Sequence, residues 1–304
     1  MVITNTLLNA LRTTLREEFK RRLAELDADP TWKALATVIP SNSESNTYGW
    51  LGAFPQMRQW VGSRVIRDIA EHGYQIFNEK WEATLGIKRT HIEDDNLGMY
   101  RVLSASKADE YARFMNRHVA KLIENGFADF CYDGQPFFSD SHPVFPNTDG
   151  TGTATDVSNI VGDPDAAGRP WALLCLSGTL KPFIVQRRAQ LEFDSKTDTG
   201  SDHVFMLDEF LYGIRYRGSF GYGLWQQAVA SKDDLNPANY KQARLVMQTF
   251  KRDGGDPLGI VPTHLVVDPT NEAAARQILS RELIGGGDSN PDYNTAQLIV
   301  VPHL

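Results

Sequence analysis

An α+β fold is what this sequence predicts, and three observations carry the prediction. Apolar residues recur at helical spacing near the start, strand-type alternation fills the middle, and helix and strand signals interleave from residue 236 onward. The chain has 304 residues, enough for one large or two moderate domains.

The first helix is expected over residues 6–26, where Leu7, Leu11, Leu15, Phe19 and Leu23 form a stripe widened by Leu8 and Leu26. Asn5 or Thr6 is placed to cap it. Two readings of this helix stay open: a helix packed on its own domain, or an arm whose apolar face docks elsewhere. The polar run 41–46 reads as a linker and favours the arm.

Residues 48–81 hold seven aromatics, namely Tyr48, Trp50, Phe54, Trp60, Tyr74, Phe77 and Trp81, about twice the 10% average of the chain. Within them, 64–70 and 74–85 alternate as two strands of a hairpin turning at Glu71-His72-Gly73. A lone hairpin is marginal in water, so this one must lie on something. Trp, Tyr and Arg dominate interface hot spots, so Trp50, Trp60, Arg64, Arg67, Tyr74, Phe77 and Trp81 are candidate inter-subunit contacts, while an ordinary hairpin covering its own core stays open as the equal alternative.

A helix starting at Asp95 or Ser106 and ending at Asn125 follows, with Tyr111, Met115, Val119 and Leu122 on one face and Gly126 as its stop. For the second start, Asp109 and Glu110 fall in the first turn. His118 beside that face reads as a hydrogen-bonded structural residue. Residues 130–168, rich in Gly, Pro, Asp and Asn, read as a long irregular segment. Strands are expected over 181–193, 203–216 and 223–230. Asn236-Pro237 then starts a helix, 263–267 is a short strand, Asp268-Pro269 starts another helix, and 298–301 is a closing strand.

The chemistry-bearing strings are sparse. Asp149-Gly150-Thr151-Gly152-Thr153 echoes a phosphoryl-transfer signature, but the prolines at 143 and 146 argue against the buried strand such an aspartate needs. Asp140, His142, Asp202 and His203 lack zinc-type spacing, and Cys131 with His142 carries no nucleophile signature. Cys131 and Cys175 read as buried free thiols. No catalytic residue, cofactor site or metal site is predicted. A net charge of −7 argues against a protein that grips nucleic acid through its phosphates, and no apolar run reaches membrane-span length.

Across the chain, the strings Asn46-Thr47-Tyr48-Gly49-Trp50-Leu51-Gly52, Trp60-Val61-Gly62, His72-Gly73-Tyr74, Glu93-Asp94-Asp95-Asn96-Leu97-Gly98, Cys131-Tyr132-Asp133-Gly134-Gln135, His142-Pro143, Asp149-Gly150-Thr151-Gly152, His203-Val204-Phe205-Met206, Gly221-Tyr222-Gly223 and Pro262-Thr263-His264-Leu265-Val266-Val267 stand in an order that resembles the major head subunits of Mu-like bacteriophages, the gpT family. The resemblance implies the HK97-type capsid fold. It divides the chain into an N-terminal arm (1–46), an E-loop region (47–90), a peripheral domain (91–235) with a spine helix at about 95–125, and an axial domain (236–304). It further implies a non-enzymatic subunit that assembles with copies of itself, as hexamers and pentamers, into an icosahedral shell around double-stranded DNA. A separate scaffolding protein, a maturation protease and a portal are the expected partners, with no membrane. The shell would be built in the bacterial host cytoplasm and end as the virion capsid. An accessory head protein and, less favoured, a phosphoryl-transfer hydrolase built around Asp149 are the alternatives.

Overall fold

A computed structural model of the chain describes residues 4–27, 31–49, 51, 73–94, 97–285 and 287–304. The first half contains helices α1 (Asn5–Leu26) and α2 (Thr31–Leu35), strands β1 (Ala36–Pro40), β2 (Ser45–Thr47), β3 (Gln75–Phe77) and β4 (Glu79–Lys88), and helices α3 (Arg89–Glu93) and α4 (Leu97–Asn125). Strands β5 (His142–Val144), β6 (Thr155–Val157), β7 (Trp171–Leu174) and β8 (Phe183–Lys196) come next. They are followed by helix α5 (Asp202–Leu207), strands β9 (Glu209–Tyr222) and β10 (Ala228–Ser231), helix α6 (Pro237–Thr249), strand β11 (His264–Val267), helix α7 (Glu272–Leu279) and strand β12 (Gln297–Val300).

Two four-stranded sheets organise these elements. The first runs β1-β8-β9-β4, with β1 parallel to β8 and the other neighbours antiparallel. The second runs β10-β7-β11-β12, with β11 and β12 parallel. All four residues of β7 are buried, as the apolar run Trp171-Ala172-Leu173-Leu174 requires of a strand with neighbours on both edges. Its pairing corrects one expectation. Strands β7 and β10, from the 91–235 segment, are hydrogen-bonded into a sheet with β11 and β12, so a boundary at residue 236 cuts through that sheet.

Helix α1 begins one residue earlier than its periodicity suggested, because Thr4 caps it by accepting from the Leu7 amide at 3.2 Å. Its stripe is satisfied within the chain. Leu8, Leu11 and Leu15 are buried with Ile87, Ile92, Tyr100, Val204, Phe210 and Tyr212, while Phe19 meets Ala108 and Ile214. Two polar contacts fix α1 on α4: the Ser104 hydroxyl donates to the Leu15 carbonyl at 2.7 Å, and Arg22 Nε donates to Asp109 Oδ1 at 2.8 Å. Of the two readings left open for this helix, the one packed on its own domain is what the structure shows.

Helix α4 starts at Leu97, so Asp109 and Glu110 lie mid-helix, where they pair with Arg22 and Arg113 instead of facing the helix start. Met115, Val119, Ala120 and Ile123 enter the main core beside Trp171, Phe183, Tyr222 and Val229. The residue that follows the helix is a glycine for a reason of space: a Cβ at Gly126 would lie 2.8 Å from Phe138 Cδ2 and 2.9 Å from the Leu122 carbonyl oxygen.

Residues 203–207, expected as strand, are the helix α5. Ser201 caps it and Asp202 lies in its first turn, and these local signals outweigh the continuous apolar run. Strand β9 consequently starts at Glu209 and runs 14 residues against β8. Asn236 and Pro237 start α6 as expected, burying Tyr240, Ala243 and Met247.

Candidate inter-subunit surface

Trp50, Trp60, Arg64 and Arg67, together with the expected strand 64–70, lie outside the described residues. The second expected strand, 74–85, is divided. Its first part, β3, pairs with β2, and its second part, β4, pairs along its whole length with β9. Tyr74 is half-buried, and its hydroxyl accepts from the Tyr222 amide at 3.0 Å. Trp81 is half-buried against Phe114 and His118, its Nε1 donating to the Gly218 carbonyl at 3.3 Å. Phe77 differs from both, being 58% exposed. The contacts of Tyr74 and Trp81 are thus made within the subunit, and among the described candidates Phe77 faces outward.

Sequence reading missed a larger apolar surface. On α5, Phe205 is 83%, Met206 75% and Leu207 61% exposed, while Val204 is buried in the cluster that α1 and α4 share. Met99, Val102 and Leu103 are exposed on the first turns of α4, flanking that cluster through Tyr100. Leu283, Ile284 and Tyr293 form a separate exposed set on the loop between α7 and β12. Exposed apolar residues grouped like this mark contact surfaces more often than scattered ones do. The signal for α5 was present in Ser201-Asp202, since a capped turn six residues long has no opposite face on which to hide Phe205 and Met206.

The root of the residue 52–72 segment is a buried polar node. Tyr48 lies before the segment and donates through its hydroxyl to Gln186 Oε1 at 2.8 Å. Gln186 Nε2 in turn donates at 2.9 Å to the Ile76 carbonyl and to Asn78 Oδ1, both after the segment. Burial pushes the Tyr48 phenol up to about 12, so it remains a donor throughout the physiological range.

A second polar cluster sits at the turn after α4. Cys131 Sγ donates to Asp133 Oδ1 at 3.1 Å, and Asp133 Oδ2 lies 2.7 Å from His142 Nδ1. His142 is fully buried and stacks on Trp225, with ring centroids 4.1 Å apart. Burial acting alone would raise the Asp133 carboxyl, but its bonds to His142, Cys131 and the Gln135 amide outweigh burial and hold it below the usual carboxylate range. Burial, and then the neighbouring Asp133, push the Cys131 thiol up. Asp140, Asp202 and His203 are not drawn into this group; His203 faces Glu209 instead, at 3.7 Å. Asp149 is exposed in the turn between β5 and β6, where its Oδ1 accepts from the Thr151 amide and hydroxyl. That is a side-chain-closed turn, far from the strand end that a phosphoryl acceptor needs.

The comparisons with known proteins agree with one another. Residues 8–304 match the family described as Mu-like prophage major head subunit gpT. The major capsid protein of Escherichia phage Mu is 43% identical over the whole of both chains. The Mu-like prophage FluMu major head subunit of Haemophilus influenzae is 40% identical, covering 92% of this chain and 91% of that one. Among solved structures, the procapsid of bacteriophage JBD30 is similar at a TM-score of 0.88 with 44% identity, covering 99% of this chain and 100% of that one. The JBD30 capsid is similar at 0.73 with 34% identity, covering 100% and 99%. The chain therefore belongs to the Mu-like prophage major head subunit family, gpT, a family of phage major capsid proteins with the HK97-type fold.

Proposed function

We propose that this chain is the repeated unit of an icosahedral phage head and closes the shell around double-stranded DNA by contacts with its own copies, without catalysis. The observation that carries this reading is the exposed apolar face of α5 and the start of α4, which a lone subunit leaves in water. Repetition of one modest contact over a closed symmetric surface yields a stable assembly without any single strong bond. Phe77, and with it the 52–72 segment carrying Trp60, Arg64 and Arg67, supplies a second contact to a neighbouring copy.

The charge suits a container. A subunit at −7 repels a packaged polyanion in bulk, so the genome is confined by the wall instead of being gripped by it. The higher similarity to the JBD30 procapsid than to the JBD30 capsid supports a subunit in the form it takes in an early shell. A separate scaffold, a maturation protease and a portal complete this reading, with assembly in the host cytoplasm.

Electron microscopy of the overexpressed, purified chain, alone and with the scaffold from the same phage, is the direct test. Closed shells of uniform diameter are expected. A chain that stays monomeric at high concentration in both preparations defeats the proposal.

A further inference from the structure

Cys131, Asp133 and His142 bring three donor atoms within 4.8 Å of one another in the protein interior, a grouping that shell formation does not explain. The turn that assembles them is tight. The Gly134 amide donates to the Cys131 carbonyl at 3.2 Å, and Gly134, at φ +80°, then turns the chain back so that the Gln135 carbonyl accepts from the Cys131 amide at 2.8 Å. Cys131 and Asp133 thereby face one side, and β5 delivers His142 to it.

The protonation of His142 can be worked out from its neighbours. Asn159 Nδ2 donates to the Phe137 carbonyl at 2.8 Å, and Asn159 Oδ1 accepts from the Ser139 amide at 2.8 Å, so the orientation of that side-chain amide is fixed by two backbone groups. His142 Nε2 lies 3.3 Å from the same Oδ1, an acceptor, and therefore carries a proton. A neutral ring then presents the lone pair of Nδ1 to the Asp133 carboxylate at 2.7 Å, which is repulsive unless a positive species joins them. That species is either a second proton or a metal ion.

We propose that it is a zinc ion, held by Cys131 Sγ, Asp133 and His142 Nδ1, with solvent as the fourth ligand. Sulfur, imidazole nitrogen and carboxylate oxygen together form a donor set that zinc favours. A thiolate and a carboxylate neutralise a divalent ion, so the loaded site buries no net charge. Asn159 accepts the remaining ring N–H, the outer contact that orients a metal-bound histidine. Zinc–ligand bonds of ~2.0–2.3 Å place tetrahedral ligand atoms about 3.3–3.7 Å apart, so the hydrogen-bonded side chains need open by less than ~1 Å. On binding, the thiol and Nδ1 release their protons to solvent and two metal–ligand bonds replace them. The ion would staple the turn after α4 to β5 and, through the His142–Trp225 stack, to the segment leading into β10.

The test uses the untagged full-length chain. Zinc is measured by elemental analysis after exhaustive dialysis, and the chelator-stripped protein is then titrated with Co²⁺. Stoichiometric zinc and a near-ultraviolet thiolate-to-cobalt band are expected in the wild type and in Cys175→Ser, with the band lost in Cys131→Ser. Asp133→Asn should weaken Co²⁺ binding at least ~10-fold. A folded wild-type chain that retains no zinc and develops no band overturns the proposal. A band that survives in Cys131→Ser overturns it equally, because the ion is then held elsewhere. Neither result bears on shell formation, which is read separately by microscopy.

Discussion

Tyr48 and Gln186 are 138 positions apart in the chain, yet they share a buried 2.8 Å hydrogen bond that closes one side of a node gripping both ends of the 52–72 segment. The other side is the pair of bonds from Gln186 Nε2 to Ile76 and Asn78. Tyr48, before the segment, and Ile76 and Asn78, after it, are thus tied to one side chain on β8.

Replacing Gln186 by Ala should cost about 1–3 kcal/mol, since it removes the acceptor of the Tyr48 hydroxyl and the donor shared by the Ile76 carbonyl and Asn78 Oδ1. Urea unfolding of the purified subunit measures the loss. Assembly should fall as well, because the segment loses its common anchor.

Phe205→Ser combined with Met206→Ser should leave folding nearly untouched, within about 0.5 kcal/mol for each exposed position, while cutting the yield of closed shells at least ~10-fold. Sedimentation separates subunits from shells, and denaturant midpoints report the fold. A normal shell yield would remove α5 from the contact surface.

His118 provides a pH signature. Its Nδ1 donates to the Phe114 carbonyl at 2.9 Å, and it packs against Trp81, Phe114 and Phe220. Burial above all lowers its pKa; the hydrogen bond to the Phe114 carbonyl opposes this, Lys121 and Arg117 add to it, and Glu79 opposes it weakly. Over the window between that lowered value and about 6.5, the unfolded chain binds more protons than the folded one, so stability rises with pH. His118 thus destabilises the fold as the medium is acidified through this window. The His118→Gln variant should show a flatter dependence of its denaturant midpoint between pH 7 and pH 5, a range set by the ordinary histidine value of about 6.5.

Gly126→Ala should destabilise the subunit by about 1–3 kcal/mol, because the new methyl meets the Phe138 ring and the Leu122 carbonyl at distances no Cβ tolerates. Thermal melting checks it, and Phe138→Leu should recover part of the loss by giving the methyl room.

Local signals were legible in the sequence as periodicity in α1 and as both cap and periodicity in α6, whereas the α1 cap fell on Thr4 and not on Asn5 or Thr6. Long-range pairing was not. Nothing in Trp171-Ala172-Leu173-Leu174 announces that its neighbours are residues 228–231 on one edge and 264–267 on the other, since a fully buried strand carries no alternation to read. The run Phe205-Met206-Leu207 misled for a related reason: continuous apolarity reads as interior, whereas here it faces out. The Cys131–Asp133–His142 group had its chemistry visible in the sequence, but its geometry depends on the Gly134 turn, which spacing alone does not specify.

Strand β1 lies at the border of the first sheet, parallel to the opening half of β8, with Ala36 matched to Phe183 and Pro40 to Arg187. Residues 36–40 are thereby a woven hem of the subunit. A cut inside residues 36–40 therefore unravels the border along Phe183 and Val185, and one just before α2 strips Leu8, Leu11 and Leu15 from the cluster they share with Tyr100 and Phe210.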